Sequence, residues 1–194
     1  MPSRAALATG VIVVAALFVG STINAALPDP NSVFAAPFEH PAAVGEPVTL
    51  RDAIVTVTGL ESGKEIARFN EVAVTEAVFL VVQLTYEPSE ETQVLPLNVL
   101  RVVAADGRQY GGWSPVSTGC GPTPPGLPVT CRAPFELPPD ALPGARLLIP
   151  AGASTTQMDD VAVIDLGIDE ARADALGAAT GRVTIPDDTV HVGR

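Results

Sequence analysis

AVFLVVQLTY, at residues 77–86, is a dense apolar run that determines which fold this chain can adopt. Apolar residues occupy both of its alternating sets of side chains, which predicts a strand buried on both faces of a sheet. One set is Val78, Leu80, Val82, Leu84 and Tyr86, and the other is Phe79, Val81, Gln83 and Thr85. A run of this length could also be helical, but Glu87-Pro88-Ser89 ends it as a turn does. We therefore expect a central β-strand.

Shorter β-branched and apolar runs before and after this strand predict further strands. They are Val48–Leu60, Glu65–Phe69, Asn98–Ala104, Arg108–Tyr110, Val129–Leu137, Ala145–Ile149 and Val161–Ile168. Glu61–Lys64 is predicted to be a turn, and Asp106-Gly107 is a hairpin signal because Gly adopts positive φ without strain. Short strands between Gly and Pro turns, without amphipathic helices, predict an all-β sandwich of about seven strands.

The N-terminal stretch Ala5–Leu27 contains no charged residue and is long enough to be a transmembrane helix. At about 1.5 Å per residue it reaches roughly 34 Å, and the hydrocarbon core of a bilayer is about 30 Å thick. Arg4 precedes the stretch and the next charged residues after it are acidic, so the N-terminus is predicted to be cytoplasmic. We expect a single-pass cell-membrane protein that contacts the lipid bilayer through Ala5–Leu27 and has an extracytoplasmic C-terminal domain.

A cleaved signal peptide is the alternative interpretation of this stretch. Signal peptidase requires small residues at the first and third positions before the cut, and Ile23-Asn24-Ala25 and Asn24-Ala25-Ala26 fit poorly. Phe34-Ala35-Ala36 is followed by Pro37, which disfavours cleavage. No Cys stands near the end of the run, which argues against a lipoprotein. The uncleaved anchor is therefore the prediction.

Four segments are predicted along the chain: the anchor at 1–27, a tether at 28–47, the sandwich at 48–168 and a partly ordered tail at 169–194. Five prolines in Pro28–Pro47 exclude a helix or a central strand, so this segment is expected to be extended. In the tail, one or two helical turns are expected at Asp169–Ala175. Val183–Ile185 and Thr189–Val192 are either weak edge strands or disordered.

The part of the chain after Leu27 is strongly acidic. The chain has 11 Lys and Arg and 22 Asp and Glu; because Arg4 alone of these precedes Leu27, the remainder carries a net charge of −12. Nucleic acid and anionic lipid are therefore not expected as partners. The acids are dispersed, which favours a role in solubility over a site for a cationic ligand. A single Lys and abundant Ala, Val and Arg are typical of high-GC genomes such as those of actinobacteria.

The two cysteines, Cys120 and Cys131, are predicted to form a disulfide. An isolated pair outside the cytoplasm is more often a disulfide than a metal site. Zinc would need two more soft ligands, and the two histidines, His40 and His191, are far away in the sequence. The disulfide would pin the long irregular loop Gly111–Pro128.

Several segments together resemble an immunoglobulin-like domain of unknown function that occurs in bacterial lipoproteins and signal-anchored proteins. They are Gly45–Val48, Ala53–Thr58, Phe79–Thr85, Asn98–Leu100, Ala105–Tyr110 and Pro134–Pro138. The resemblance spans roughly Val44–Ile168 and implies an immunoglobulin-like β-sandwich outside the cytoplasm, with no catalytic residues to transfer. The turn Tyr86–Ser89 and the loop between the cysteines depart from the family pattern.

Catalytic and metal sites are not indicated by the sequence. No Ser lies in a Gly-x-Ser-x-Gly elbow, and the two histidines make a triad improbable. Asp159-Asp160 and Asp187-Asp188 carry hard oxygen ligands but lack the spacing of a calcium loop, so they are expected to be solvated turn residues. We expect no enzyme activity, no cofactor and no bound metal.

Candidate binding residues lie in and beside the loop between the two cysteines. Trp113, the only Trp, follows two glycines, and Tyr110 precedes them; an exposed aromatic there suits recognition of a glycan or a protein. The alternative is that Trp113 caps the sandwich core. The stiff segment Pro122–Pro128 is a second candidate surface, and its residues of interest are Pro124, Pro125 and Leu127.

Two functions from different classes follow. The first is a membrane-anchored binding or accessory module that engages another envelope protein or a ligand through the pinned loop. The second is a structural or assembly subunit whose anchor packs in a larger membrane complex. Small residues four apart, Ala6 with Gly10 and Ala16 with Gly20, are compatible with the second.

Overall fold

The computed structural model describes residues 21–22, 35–152 and 158–191. The predicted anchor Ala5–Leu27 lies outside these residues apart from the helical pair Ser21 and Thr22. Within the part that is described, no helix is both long and apolar enough to cross a bilayer.

The described residues form a β-sandwich, which confirms the expected two-sheet β architecture. The strands are β1 (Phe38–Ala43), β2 (Val48–Thr49), β3 (Ala53–Arg68), β4 (Glu71–Pro88), β5 (Arg101–Val103), β6 (Gln109–Gly111), β7 (Val129–Leu137), β8 (Arg146–Pro150), β9 (Asp160–Asp165), β10 (Arg182–Thr184) and β11 (Thr189–Val190). One α-helix, α1 (Glu170–Gly177), and two 3-10 turns, Leu97–Val99 and Pro139–Ala141, complete the described elements. Residues 35–152 and 158–191 contain eleven strands instead of the expected seven or so, and several of them are only two or three residues long.

One sheet has the strand order β1-β9-β8-β5-β6, and the other has the order β10-β3-β4-β7-β11, with β2 paired to β3. The main core lies between the sheets and contains the inward side chains of both, such as Leu80, Phe135 and Ile149. Burial of these side chains drives the two sheets together, at roughly 25 cal/mol per Å² of apolar surface.

The central position predicted for residues 77–86 is confirmed, since β4 lies between β3 and β7. Val78, Leu80 and Val82 enter the main core. On the opposite face Phe79 and Val81 join a second buried cluster. That cluster is completed by Ile66, Val116, Val183 and Ile185, so part of the tail and part of the 111–128 loop cover the outer face of this sheet.

Several predicted boundaries differ from the structure, among them the start of β5, which is at Arg101 and not at Asn98. β3 runs without a break from Ala53 to Arg68, so the turn expected at Glu61–Lys64 is absent, and the hairpin turn is at Phe69-Asn70 instead. Ile66 and Ala67 are buried past this point, and the register shift between Gly63 and Glu65 lets the strand continue through the polar residues.

β1 begins at Phe38, inside the predicted tether, and pairs in parallel with β9. Pro41 is tolerated there because β1 is an edge strand whose outer side needs no hydrogen-bond donor. The sandwich therefore starts ten residues before the predicted boundary at Val48.

The tail contains ordered elements beyond the predicted sandwich boundary at Ile168. Helix α1 begins at Asp169, whose side chain accepts a hydrogen bond from the Arg172 N–H and so caps the helix. β10 pairs in parallel with β3 at Glu65–Ala67, and β11 pairs with the start of β7. Both are short edge strands, so the first of the two predicted alternatives, weak edge strands or disorder, is the one observed.

Candidate functional site

The candidate site is an open groove of about 320 Å³ beside Trp113. Trp113 is 71% exposed, so it does not cap the core. Three segments line the groove: Val94–Asn98, Gly111–Gly119 without Pro115 and Ser117, and Ala133–Phe135. Exposed aromatic surface held beside apolar walls is typical of recognition sites because it buries a large area with little loss of side-chain entropy.

Two glycines at positive φ place Trp113 at the groove. Gly111 has φ of 125°, and a Cβ there would lie 2.6 Å from the Leu100 carbonyl oxygen and 3.2 Å from the Phe135 ring. Gly112 has φ of 87°, and its Cβ would lie 3.1 Å from the Arg101 guanidinium. At Gly111 only glycine fits both the backbone conformation and the space, and at Gly112 the positive φ favours glycine, so this turn depends on the Gly-Gly pair.

The predicted disulfide is confirmed, and it joins the end of the Gly111–Gly119 segment to β7. The Cys120 and Cys131 sulfurs are 2.05 Å apart, and both residues are buried in the main core. The Leu95 N–H donates to the Cys120 carbonyl at 3.0 Å, which joins the Val94–Asn98 wall to the same point. The groove therefore lies beside the disulfide, because Gly119 and Ala133 in its lining are close in sequence to Cys120 and Cys131.

Gln93 fixes the beginning of this wall. Its backbone exchanges two hydrogen bonds with Thr123, at 3.0 and 2.8 Å. Its side-chain oxygen accepts a hydrogen bond from the Tyr86 hydroxyl at 2.7 Å. Burial, together with the charge of Asp52, raises the pKa of Tyr86 to about 12, so the hydroxyl remains a donor at all physiological pH values.

Two carboxylates fasten the loop to the rest of the domain. Glu71 accepts from the Ser117 N–H at 2.6 Å and from the Ser117 hydroxyl at 2.9 Å, and the first of these bonds is the main cause of its lowered pKa. Asp188 accepts from the Gly121 N–H at 3.1 Å. Burial raises the pKa of Asp188, and the bond from Gly121 opposes that rise.

None of the described residues that line the groove is charged. Its polar side chains are Asn98, Ser114 and Thr118, and the Ser114 hydroxyl already donates to the Val116 carbonyl at 2.7 Å. A charged group beside the lining is the Arg101 guanidinium, which lies next to Gly112 and donates to the Asn98 carbonyl at 2.7 Å. Such a surface suits an uncharged ligand with apolar groups and a few hydrogen-bonding groups.

The structure separates the five candidate binding residues. Trp113 alone of them lines the groove. Tyr110 is half-buried on β6, packs against the main core and has the Arg108 guanidinium 6.0 Å from its ring centre. Pro124 and Pro125 are exposed and Leu127 is half-buried in a turn elsewhere, where the Gly126 N–H donates to the Pro88 carbonyl.

The groove residues that sequence reasoning missed are the Val94–Asn98 wall and Pro134. Val94–Leu97 gives no strand or helix pattern, and Asn98 is the start of a predicted strand. The segment is positioned by hydrogen bonds from Leu95 to Cys120 and between Gln93 and Thr123. Its exposed Val94 has no sequence signal that distinguishes it from other isolated surface valines.

The paired aspartates have partners within the protein. Asp159 lies 3.1 Å from the Arg51 guanidinium, and Asp160 lies 3.0 Å from the His40 imidazole. Asp187 lies 3.9 Å from Arg68. Among the residues that the structure describes, no group of three or more acidic, His or Cys side chains is arranged to hold a metal ion.

No protein-family model matches the chain, and no curated protein matches it. Among solved structures, the chain is similar to the crystal structure of an uncharacterized β-sandwich protein from Clostridium difficile 630. The two are 10% identical, with a TM-score of 0.43, over 72% of this chain and 99% of that chain.

Proposed function

We propose that this chain is a membrane-anchored, extracytoplasmic binding module that engages another envelope protein at the groove beside Trp113. The ligand is an uncharged, largely apolar segment of that protein. The anchor is Ala5–Leu27, and the binding domain is an immunoglobulin-like sandwich.

The observation that carries the proposal is the exposed indole of Trp113 in the lining of a groove without charged residues, beside the Cys120–Cys131 disulfide. Large aromatic side chains supply much of the binding energy at protein interfaces. A loop that is already ordered loses less conformational entropy when it binds. The apolar walls, with Leu95, Pro96 and Leu97 on one side, favour a protein segment over a glycan, which needs more polar side chains.

The strand order supports the immunoglobulin-like assignment. In that fold the second and fifth strands are neighbours in one sheet, and the third, sixth and seventh strands are consecutive neighbours in the other. Here β4 neighbours β7, and β5, β8 and β9 are consecutive neighbours. The chain passes between the sheets from β4 to β5 and from β7 to β8, as the Greek key requires.

The disulfide supports the proposed location, because such bonds persist in oxidising compartments and are rare in the cytosol. The acidic sequence that follows Ala5–Leu27 agrees with translocation of the domain.

Photo-cross-linking in intact membranes tests the proposal. A photoreactive residue replaces Asn98, which is exposed and lines the groove. Control probes replace Val190, which is exposed on β11 away from the groove lining, and Val13 in the anchor. The proposal predicts a reproducible protein cross-link from position 98 that is absent from position 190.

Cross-links from position 13 alone would contradict the groove as the binding site and would favour an assembly subunit that packs through its anchor. Absence of any protein cross-link, together with retention on immobilised glycan, would contradict the ligand class. A mature N-terminus after Ala25 would contradict the anchor without affecting the groove.

A further inference from the structure

The hairpin of β3 and β4 extends past β7 and leaves one edge of β4 open. β7 pairs with β4 only from Val78 to Tyr86, whereas β3 pairs with β4 down to Glu71. In the described part of the chain, no strand pairs with Glu71–Ala77 on the side away from β3. We call Glu71–Thr75 the open edge.

The backbone groups that face outward can be assigned from the hairpin. The turn contains two residues, Phe69 and Asn70, so the pair Arg68 and Glu71 that closes it exchanges hydrogen bonds within the hairpin. Because bonded residues alternate along an antiparallel ladder, Ala73 also bonds to β3, while Val72 and Val74 direct their N–H and C=O groups outward.

The side chains of the same residues are apolar and exposed. Val72 is 53% exposed, Val74 is 72% exposed and Phe69 at the tip is 72% exposed. Phe69 has φ of 51°, at a turn position where glycine is normally preferred. Proteins usually protect an open edge with charged side chains, proline or a covering loop. Val72 and Val74, whose backbone groups face outward, are instead uncharged and exposed.

We propose that the open edge pairs with the open edge of a second copy of this chain, in antiparallel register about Ala73. In this register Val72 of each copy faces Val74 of the other and exchanges both backbone hydrogen bonds with it. Glu71 faces Thr75, so no like charges lie directly opposite each other in the ladder; the Glu136 carboxylate accepts from the Thr75 hydroxyl beside this pair.

The neighbouring registers are less favourable. An outward-facing residue of one copy must pair with an outward-facing residue of the other. One edge can therefore slide along the other only by two residues at a time. One such shift places Val72 opposite Glu76, and the other places Val74 opposite Asn70. Only the register about Ala73 pairs valine with valine twice, which makes the edge self-complementary. This surface shares no residue with the groove lining, although Glu71 contacts Ser117 of the neighbouring loop, and the pairing does not depend on the function of the groove.

Disulfide trapping of the full chain in detergent tests this pairing. The two native cysteines form one buried disulfide, so Ala73→Cys adds the single free thiol. Across the proposed interface the two position-73 Cα atoms would lie about 4.5 Å apart, within disulfide range. Glu76→Cys, exposed on the same strand, is the control because its copies would lie about 20 Å apart.

We expect mild oxidation to give a covalent dimer from Ala73→Cys and monomer from Glu76→Cys. Adding Val74→Lys, which puts a charge opposite the valine of the second copy, should reduce the dimer yield about tenfold. Equal yields from both cysteines, or a yield that Val74→Lys leaves unchanged, would overturn the pairing.

Light scattering of the unmodified chain and of Val74→Lys provides a readout that does not depend on how Ala73→Cys folds. The proposal predicts a dimer for the unmodified chain and a monomer for Val74→Lys. Monomers in both would overturn it, as would occupation of the edge by a different protein.

Discussion

The carboxylate of Glu71 accepts two hydrogen bonds from Ser117, which lies 46 residues further along the chain. One comes from the backbone N–H at 2.6 Å and the other from the hydroxyl at 2.9 Å. The contact joins the start of β4 to the loop that carries Trp113. Because both bonds favour the ionised carboxylate, they lower the pKa of Glu71.

Glu71→Gln should loosen the loop while leaving the fold intact. The amide is a weaker acceptor than the carboxylate, so the bonds from Ser117 weaken. Hydrogen exchange followed by mass spectrometry should show faster exchange at residues 111–120 in the variant. Glu91→Gln, an exposed substitution elsewhere, should leave this exchange unchanged. Unchanged exchange in Glu71→Gln would mean that the contact does not order the loop.

Removing the disulfide should lower the free energy of unfolding by about 3 kcal/mol, because the closed loop no longer restricts the unfolded chain. Denaturant unfolding of the Cys120→Ser, Cys131→Ser double variant measures this loss. The unmodified chain should react with an alkylating reagent only after reduction. Alkylation without reductant would contradict the disulfide.

Gly111→Ala should destabilise the domain by about 1–3 kcal/mol, since the new Cβ meets the Leu100 carbonyl and φ is positive. Gly119→Ala in the same loop is the matched control, because nothing lies within 4 Å of its Cβ position. The control should change stability by less than about 0.5 kcal/mol. Equal effects in thermal unfolding would contradict the placement of the Gly-Gly turn.

Asp188→Asn should become more stabilising, relative to the unmodified chain, as pH rises from about 3 to about 7. Burial raises the pKa of Asp188 in the folded state. The unfolded chain therefore releases this proton at a lower pH than the folded chain does. As pH rises above the pKa of Asp188 in the unfolded chain, the folded state loses stability. Asn keeps an acceptor for the Gly121 N–H without the charge. Denaturant unfolding at both pH values measures the difference, and an opposite trend would contradict the burial of Asp188.

Much of the sandwich follows from local sequence patterns. The two alternating apolar sets of residues 77–86 predict the central strand, and Asp106-Gly107 predicts the turn before β6. Composition and the isolated cysteine pair predict the disulfide. These predictions hold because each depends on residues that are close in sequence or on chemistry that only two residues can supply.

Other features depend on contacts that local patterns do not encode. Pro41 argues against a strand unless the outer side of β1 is known to be an edge. Val183 and Ile185 look like an isolated weak strand until Phe79 and Val81 are known to need cover. The Val94–Leu97 part of the groove wall has no local signal because distant partners position it, including Cys120 and Thr123.

The central claim is that Trp113 contributes directly to binding at the groove. The most direct measurement compares the yield of the protein cross-link from position 98 in the unmodified background, in Trp113→Phe and in Trp113→Ala. The account predicts that Trp113→Ala abolishes the cross-link and that Trp113→Phe, which retains an aromatic ring, preserves part of it. An unchanged yield in folded Trp113→Ala would contradict the account.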